Sequence, residues 1–366
     1  MIYLDYGATS FHKPHSVGLA MASAMAKCAN PGRGGYGAAM RAQETVYRCR
    51  ERAAQLFGCL PEQVVFTSNC THGLNIAIAT LVKPGSRVVV SGFEHNAVVR
   101  PLYGLDAKVT VAGRRLFDWT NTLEEFEDAL RAGVDAAVFT HVSNVFGYIL
   151  PVEQMAQLCK QYGVPFILDA AQSAGVLPVN LEKLGAAFIA MPGHKGLLGP
   201  QGTGLLLCDC EPKPLLLGGT GSHSIDRNMP VDLPDRLEAG TMNVPGIAGL
   251  GAGIHYLQTV GIDTIYQREH AQLKRSIHGM QKMGLQVFTG EHQGGTVSFV
   301  PKTECEVVAQ KLADMGIAVR AGLHCAPVAH ESAGTLQTGT VRISFGWDAS
   351  PAQTHTLLRG LEAMKL

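Results

Sequence analysis

Short apolar runs rich in β-branched residues alternate with amphipathic helical patterns through the first two-thirds of the chain. Several of these runs are continuously apolar, which is typical of parallel strands that are covered by helices on both faces. In the stretch 38–57, apolar residues recur at spacings of three and four, which predicts one buried helix face. These residues are Val46, Cys49, Ala53 and Leu56. The pattern therefore predicts an α/β fold, with strands at Val64–Phe66, Val88–Val90, Val109–Val111, Ala137–Phe139, Phe166–Leu168, Phe188–Ala190 and Leu205–Leu207.

The pattern changes near residue 246, where a long helical stretch leads out of this predicted sheet. Its apolar positions are Leu250, Ile254, Leu257, Leu273 and Ile277. The remainder predicts strands at Thr296–Val300, Ile317–Arg320 and Val341–Ser344, a helix at 304–315 and a closing helix. A chain of 366 residues suits two unequal domains better than one core. We expect a mostly parallel seven-stranded sheet in a large domain, 16–245, and a smaller α/β domain formed by 1–15 plus 246–366.

The charge balance narrows the class of partner. Thirty Lys and Arg residues balance thirty Asp and Glu residues, which argues against a broad surface for nucleic acid or an anionic membrane. No apolar run approaches the roughly 18–20 residues that span a bilayer, and the N-terminus lacks the pattern of a signal peptide. Nine scattered cysteines, with one close pair at Cys208 and Cys210, suggest neither a disulfide framework nor a metal site. We expect a cytoplasmic protein with a small-molecule substrate.

A glycine-rich segment, Met191–Gly204, joins two predicted strands and contains one lysine, Lys195, among five glycines. Glycine lets the backbone approach a cofactor closely, and a lysine amine can bond covalently to a carbonyl compound. The alternative is a surface turn with a solvated lysine, and the segment taken alone leaves both interpretations open.

Asp169 and His95 both follow predicted strands. The run Phe166–Leu168 ends directly in Asp169, and a carboxylate in that position can keep the ring nitrogen of a bound cofactor protonated. The same aspartate also suits a helix N-cap. His95 follows Val88–Val90, where a histidine alone is most often a hydrogen-bonded turn residue.

The segment Arg320–Pro327 carries Cys325 on a loop, between glycine and proline. A thiol beside His324 and near Arg342 can become a nucleophile, because neighbouring positive charge lowers its pKa. An inert buried thiol suits most of the other cysteines but fits this loop poorly.

Ten short motifs, taken in order along nearly the whole chain, resemble the cysteine desulfurases of the class V aminotransferase group. The likeness is closest to the SufS-like branch, which has a short cysteine loop. The resemblance implies a pyridoxal phosphate (PLP)-dependent transferase fold of type I, like that of aspartate aminotransferase. The motifs are Tyr3–Thr9, Asn30–Gly34, Val65–Ser68, Glu94–Ala97, His141–Asn144, Asp169–Gln172, Gly193–Lys195, Arg236–Thr241, Arg320–Pro327 and Val341–Ser344.

The resemblance implies the roles of the central residues. Lys195 would bind PLP covalently and remove the substrate Cα proton, and Cys325 would take the substrate sulfur as a persulfide. Asp169 would pair with the pyridine nitrogen of PLP, and Gln172 would bond to its phenolic oxygen. His95 would stack on the ring and relay protons.

The resemblance implies that Thr71 and His194 bind the phosphate of PLP. Cys70, beside Thr71, stands where a threonine is common in relatives. Thr71 also lies at a predicted helix start, whose backbone amides favour an anion. Pro192 stands where relatives often carry a phosphate-binding serine, and proline has neither a hydroxyl nor an N–H. We therefore expect fewer hydrogen bonds from the protein to the phosphate.

For the substrate, the resemblance implies that Arg342 clamps the carboxylate, which suits a guanidinium fork. Asn144 would lie near the cofactor oxygen or the same carboxylate, and Arg320 would also face the substrate. Arg33 and Thr241 would reach the active site of a neighbouring subunit, which implies a homodimer.

The implied reaction converts L-cysteine to L-alanine, and the persulfide on Cys325 then passes its sulfur to an acceptor thiol, which a partner protein could carry. L-Selenocysteine is an alternative substrate, because it differs only in the atom removed. A class V aminotransferase or epimerase is a further alternative that would not need Cys325. A non-catalytic partner protein with this fold is disfavoured by the presence of every expected catalytic residue.

Overall fold

A computed structural model of the chain describes residues 1–32 and 34–364. Its strands are β1 (Ile2–Tyr3), β2 (Val64–Thr67), β3 (Arg87–Ser91), β4 (Lys108–Ala112), β5 (Ala136–Thr140), β6 (Phe166–Asp169), β7 (Phe188–Pro192), β8 (Gly204–Cys208), β9 (Gln286–Phe288), β10 (Thr296–Val300), β11 (Ile317–Ala318), β12 (Arg320–Gly322) and β13 (Thr340–Ser344). Its helices are α1 (His15–Lys27), α2 (Gly37–Phe57), α3 (Cys70–Leu81), α4 (Asn96–Gly104), α5 (Trp119–Arg131), α6 (Val152–Tyr162), α7 (Leu181–Leu184), α8 (Val244–Val260), α9 (Ile262–Lys282), α10 (Cys305–Asp314), α11 (Pro327–Ser332) and α12 (Pro351–Ala363).

The larger sheet has seven strands in the order β2-β8-β7-β6-β5-β3-β4. Strands β7, β6, β5, β3 and β4 pair in parallel, whereas β8 is antiparallel to both β7 and β2. Each of the seven strands expected from the sequence lies inside one of these strands, and the prediction of a mostly parallel α/β sheet is confirmed.

Both faces of this sheet are buried, because side chains along a strand point alternately to its two faces. Along β3, Val89 belongs to one apolar core, and Val88 and Val90 belong to the core on the opposite face. Helix α8 packs against α1 and α2, and α3 packs against α4 over the strands. The continuously apolar strand sequences follow from this double coverage. No helix within the described residues is long and apolar enough to cross a membrane.

The smaller sheet is antiparallel, with the order β12-β13-β10-β9, and has its own apolar core. The single strand expected at Ile317–Arg320 is wrong, because it divides into β11 and β12. Strand β11 pairs in parallel with β1 from the start of the chain, whereas β12 pairs with β13. The long helical stretch also divides, into α8 and α9, at Gly261, whose φ of 86° suits glycine. The domain limits at 16–245 and 246–366 stay a prediction.

The strand directions bring six carboxyl ends to one edge of the large sheet. Strands β3, β4, β5, β6 and β7 are mutually parallel, and β2 runs in the same direction because β8 is antiparallel to both of its neighbours. In open α/β sheets this edge is where ligands bind.

A buried ion pair ties the motif Arg236–Thr241 to the sheet. The Arg50 guanidinium donates from Nη1 and Nη2 to the two carboxylate oxygens of Glu238, over 3.0 and 2.8 Å. Both side chains are only 7% exposed. The Phe66 amide donates to Glu238 over 2.8 Å, and the guanidinium lies 4.6 Å from the Phe66 ring centroid. If either partner were removed, the other charge would stay buried without a counter-ion, which is strongly destabilising.

We expect Glu238→Ala to lower the free energy of unfolding by about 3–5 kcal/mol, because Arg50 would remain buried without its counter-ion. Denaturant unfolding followed by circular dichroism measures the change. The matched control is Glu44→Ala, which removes an exposed i,i+4 pair with Arg48 and should cost about 0.5 kcal/mol or less. Equal losses in the two variants would contradict the assignment.

Candidate active site

A cavity of about 220 Å³ lies at the carboxyl edge of the large sheet, where the smaller sheet meets it. The predicted site residues in its wall are Cys70, Thr71, His95, Asn144, Asp169, Gln172, His194, Lys195, Arg320, Cys325 and Arg342. Thr241 lies outside it, in a separate surface depression with Asn30 and Gly32. Arg33 lies outside the described residues. Most of the sequence motifs thus converge on this site, whereas residues of Asn30–Gly34 and Arg236–Thr241 line the separate depression.

Lys195 follows β7 on the glycine-rich segment, and its side chain borders the cavity. Its amine makes no hydrogen bond with the described residues. Burial lowers the pKa of Lys195, and the nearby Asp169 carboxylate opposes that shift. A lowered pKa increases the fraction of neutral amine, which is the form that bonds to a carbonyl carbon.

Asp169 is the last residue of β6 and is only 2% exposed. One carboxylate oxygen, Oδ1, accepts hydrogen bonds from the Ala171 amide at 2.9 Å and from the Cys70 thiol at 3.5 Å. The other oxygen, Oδ2, accepts none from the described residues. Burial raises the pKa of Asp169, while the Ala171 amide and the Lys195 charge oppose the rise. Asp169 therefore keeps one oxygen for a ligand.

His95 precedes α4 and acts as its N-cap, because its Nδ1 accepts the Ala97 amide over 3.0 Å. This hydrogen bond assigns the ring proton to Nε2. Burial lowers the pKa of His95 to about 4, and the positive charges of Lys195 and Arg342 add to the effect. His95 therefore presents an uncharged ring with a donor at Nε2.

The N-terminal segment completes the wall, a contribution that the sequence analysis missed. Asp5 accepts Arg342 Nη2 over 2.5 Å, and the Asn144 carbonyl accepts Arg342 Nη1 over 3.0 Å. The Gly7 carbonyl accepts the Gln172 side-chain amide over 2.9 Å. A Cβ atom at Gly7 would come within 3.2 Å of Arg342 Cζ, so a larger residue there would require Arg342 to shift by a few tenths of an ångström. The motif Tyr3–Thr9 was the available signal, but its sequence carried no indication of these partners.

An anion site is formed at the start of α3. Asn69 caps this helix by accepting the His72 amide over 2.9 Å, and Asn69, Cys70 and Thr71 border the cavity. A helix N-terminus with free amides favours an anion. His194 faces the same cavity, and its Nδ1 lies 3.0 Å from the Thr9 hydroxyl. Burial lowers the pKa of His194 to about 4, so a neutral imidazole faces the cavity.

Hydrogen bonds to its backbone carbonyls hold the loop that carries Cys325, while Cys325 itself is exposed. The Asn96 amide donates to the Cys325 carbonyl, and the Asn144 side chain donates to the His324 carbonyl, each over 2.8 Å. His324 and Cys325 have φ angles of 50° and 58°. Non-glycine residues adopt this left-handed region at a cost, so the surrounding bonds must hold them there. Asn144 thus contacts the cysteine loop, and its predicted contact with cofactor or substrate stays a prediction.

His324 does not supply positive charge to Cys325, contrary to the expectation from the sequence. Its Nε2 lies 3.1 Å from the Thr340 hydroxyl, and burial lowers the pKa of His324 to about 2. The ring is therefore uncharged at neutral pH. Its role is to anchor the loop to β13.

Two arginines face each other across the smaller sheet. Arg320 on β12 and Arg342 on β13 are direct partners in the antiparallel ladder. Arg342 is 2% exposed, and its Nε has no hydrogen-bond partner among the described residues. Arg320 is exposed and forms no ion pair with them. Like charges directly opposite are unfavourable, so an anion between them would be stabilised.

These residues fit PLP in three independent respects. Lys195 supplies an amine for the aldehyde carbon, and the free Oδ2 of Asp169 supplies a carboxylate oxygen for the ring nitrogen. The start of α3 supplies amides for the phosphate.

Comparison with known proteins gives the family. The sequence model of aminotransferase class-V matches residues 2–357. The chain belongs to this family. It is 33% identical to a probable cysteine desulfurase of Methanothermobacter thermautotrophicus, over 99% of this chain and 94% of the relative. A second probable cysteine desulfurase, from Pyrococcus abyssi, is 32% identical over 100% of this chain and 94% of the relative.

Solved structures agree with the fold. The apo structure of a cysteine desulfurase from Thermococcus onnurineus superposes with a TM-score of 0.91 at 32% identity, covering 99% of this chain and 94% of the other. The S-sulfonic acid form of the Escherichia coli cysteine desulfurase CsdA gives a TM-score of 0.84 at 25% identity, with coverage of 99% and 94%. The expectation of a type I fold is confirmed.

We expect added PLP to give a visible absorption band that Lys195→Ala loses. Borohydride reduction should then fix the cofactor to one peptide, the one that contains Lys195, as measured by mass spectrometry. The control is Lys13→Ala, since Lys13 lies near His194 but bonds to Ser10 outside this cavity. Labelling at another lysine, or a band that survives in Lys195→Ala, would contradict the assignment.

Proposed function

We propose that this chain is a PLP-dependent cysteine desulfurase, which converts L-cysteine to L-alanine and takes the sulfur on Cys325. The observation that carries the proposal is an exposed cysteine held by backbone bonds at a cavity that also contains Lys195, Asp169 and Arg342. The names of the relatives, cysteine desulfurase or probable cysteine desulfurase, support the same reaction.

Bound PLP supplies an electron-withdrawing ring that makes the substrate Cα proton acidic. Lys195 holds the cofactor and, when released, its neutral amine accepts that proton and returns it. Its lowered pKa suits this exchange, because a base works best when its pKa lies near the operating pH. Asp169 Oδ2 would accept a hydrogen bond from the protonated ring nitrogen. His95 would cover the ring and offer Nε2–H as a donor.

The substrate carboxylate binds between Arg320 and Arg342. Arg342 is already oriented by Asp5 and the Asn144 carbonyl, so little side-chain freedom is lost on binding. Its unpartnered Nε and the exposed Arg320 guanidinium supply the remaining donors. Anchoring the carboxylate here directs the substrate side chain toward the mouth of the cavity that Cys325 borders.

Sulfur transfer is a displacement at the substrate sulfur. The Cys325 thiolate forms the S–S bond, the C–S bond breaks, and its electron pair stays with the carbon skeleton. Protonation of that skeleton gives alanine, and Cys325 is left as a persulfide. A second thiol then removes the outer sulfur, which the exposure of Cys325 permits. We further propose that this thiol belongs to an acceptor protein.

An aminotransferase or epimerase would use Lys195, Asp169 and His95 but would need no thiol at the mouth. The left-handed pair His324 and Cys325 costs backbone energy that such an enzyme has no reason to retain. This observation favours desulfuration. L-Selenocysteine fits the same residues and is the second substrate to test.

Purified protein with bound PLP should form alanine and sulfide in equal amounts from L-cysteine and a thiol reductant. We expect Cys325→Ala to lose on the order of a hundredfold or more of both products while its cofactor absorption is unchanged. Cys28→Ala, which removes a half-buried thiol outside this cavity, should retain activity. Alanine formation that survives Cys325→Ala would refute the persulfide mechanism. If the wild type forms neither product, L-selenocysteine is the next substrate.

We also propose a homodimer in which Thr241 serves the partner's site, since it lies outside its own cavity. Arg33 has the same proposed role. Thr241→Val should then weaken PLP binding, because a phosphate contact would be lost. Mixed dimers of Thr241→Val with Lys195→Ala should regain activity, since one site would combine an intact lysine with an intact threonine. A monomer by sedimentation, or no regain in mixed dimers, would refute the arrangement.

A further inference from the structure

Cys70 is the second cysteine in the wall of the cavity, and its thiol contacts Asp169 rather than the anion site. Its Sγ lies 3.5 Å from Asp169 Oδ1, within the range of a thiol hydrogen bond. Cys70 is the first residue of α3, so the helix that presents its amides to the cavity also carries the group that contacts the carboxylate. The thiol is 8% exposed.

We propose that Cys70 is a positioning residue for the cofactor ring: its thiol donates to Asp169 Oδ1, fixes that oxygen, and favours the arrangement in which Asp169 is ionised and the proton resides on the ring nitrogen. This inference rests on the PLP-binding part of the proposed function. The sequence analysis noted Cys70 only as standing where a threonine is common beside the predicted phosphate ligand Thr71, and in the structure its thiol contacts Asp169.

The donor role requires that the thiol keep its proton. Burial raises the pKa of Cys70 well above its ordinary value, and the Asp169 carboxylate raises it further, while Lys195 opposes the shift. A protonated thiol is a donor, and Asp169 Oδ1 is the acceptor it contacts. Since the thiol stays protonated, Cys70 is also not a competing nucleophile for the sulfur that Cys325 receives.

The direction of the effect follows from which form of Asp169 the thiol stabilises. A hydrogen bond to the carboxylate favours its ionised form, so it lowers the pKa of Asp169 against the effect of burial. The proton shared between Asp169 Oδ2 and the ring nitrogen then moves toward nitrogen. The Ala171 amide acts on the same oxygen, Oδ1, and the two donors hold the carboxylate in one orientation.

A thiol is a weaker donor than a hydroxyl. Replacing the donor should therefore give a graded series. Cys70→Ser should match or exceed the wild type in protonation of the ring nitrogen, and Cys70→Ala should fall below it. A residue that only filled space would not give this order, because serine restores the donor and alanine does not.

The experiment compares PLP with 1-deaza-PLP, which lacks the ring nitrogen but keeps the aldehyde and the phosphate. Dissociation constants of both are measured for the wild type, Cys70→Ala and Cys70→Ser, together with the ¹⁵N chemical shift of bound ¹⁵N-labelled PLP. We expect Cys70→Ala to weaken PLP about two- to tenfold, the range for losing one hydrogen bond, with little change for the deaza compound. The ¹⁵N shift should move toward that of neutral pyridine, and Cys70→Ser should reverse both changes.

Two controls separate the proposal from a loss of structure. Cys49→Ala removes a buried thiol on α2, away from the cavity, and should leave both dissociation constants and the ¹⁵N shift unchanged. In protein that also carries Asp169→Asn, Cys70→Ala should change the dissociation constants of PLP and 1-deaza-PLP to the same extent. Such coupling indicates that Cys70 acts through Asp169.

Equal weakening of PLP and 1-deaza-PLP in Cys70→Ala would overturn the proposal and assign Cys70 to the phosphate. An unchanged ¹⁵N shift in Cys70→Ala with bound PLP would also overturn it. Wild-type protein that binds no PLP would overturn both this inference and the proposed function. If the Cys70 variants show the predicted series but the wild type forms no alanine from cysteine, only the desulfurase proposal would be refuted.

Discussion

The site depends on the parallel direction of the strands in the large sheet. Six carboxyl ends meet at one edge because β8 is antiparallel to both of its neighbours and so leaves β2 aligned with β7. The polar groups that the large sheet contributes to the site follow the ends of its apolar strands. Asp169 ends β6, and Lys195 follows β7. The double coverage of the sheet by helices buries these ends and lowers their access to water.

Burial at that edge also determines the protonation states of the site residues. Desolvation disfavours ionised groups, and it keeps His95, His194 and His324 neutral near physiological pH. The two facing arginines remain cationic and suit anionic groups, whereas the lowered pKa of Lys195 favours the neutral amine that bonds to an aldehyde. Neutral histidines beside these arginines serve as hydrogen-bond donors and anchors. The histidines therefore add no further positive charge to the cavity.

The smaller sheet and the N-terminal segment close the site from the other side. Strand β1 pairs with β11, and this pairing delivers Asp5 and Gly7 to Arg342. The cysteine loop lies between β12 and α11 and is bound to the large sheet through Asn96 and Asn144. Because its bonds come from both sheets, the position of Cys325 depends on how the two parts of the chain are packed. The same packing places Cys325 and the two arginines in the wall of one cavity.

Much of this could be predicted from the sequence. The apolar periodicity located all seven strands of the large sheet, because burial on both faces leaves a continuous apolar run. Strand ends and glycine-rich loops marked Lys195, Asp169, His95 and Cys325 as candidates, and the resemblance of ten ordered motifs implied their roles. Partners that are distant in the sequence leave no such pattern. The division of Ile317–Arg320 into two strands was decided by β1 and β13, which lie in opposite parts of the chain.

The hydrogen-bond partners of the site were decided only by the tertiary structure. Cys70 adjoins Thr71, the predicted phosphate ligand, in the sequence, but its thiol meets Asp169, which is 99 positions away along the chain. His324 adjoins Cys325 in the sequence, yet its ring is directed to Thr340 and carries no charge. Local sequence determines which groups are present and on which kind of element they lie. Burial, ionisation and hydrogen-bond partners depend on the surrounding packing, which long-range contacts create.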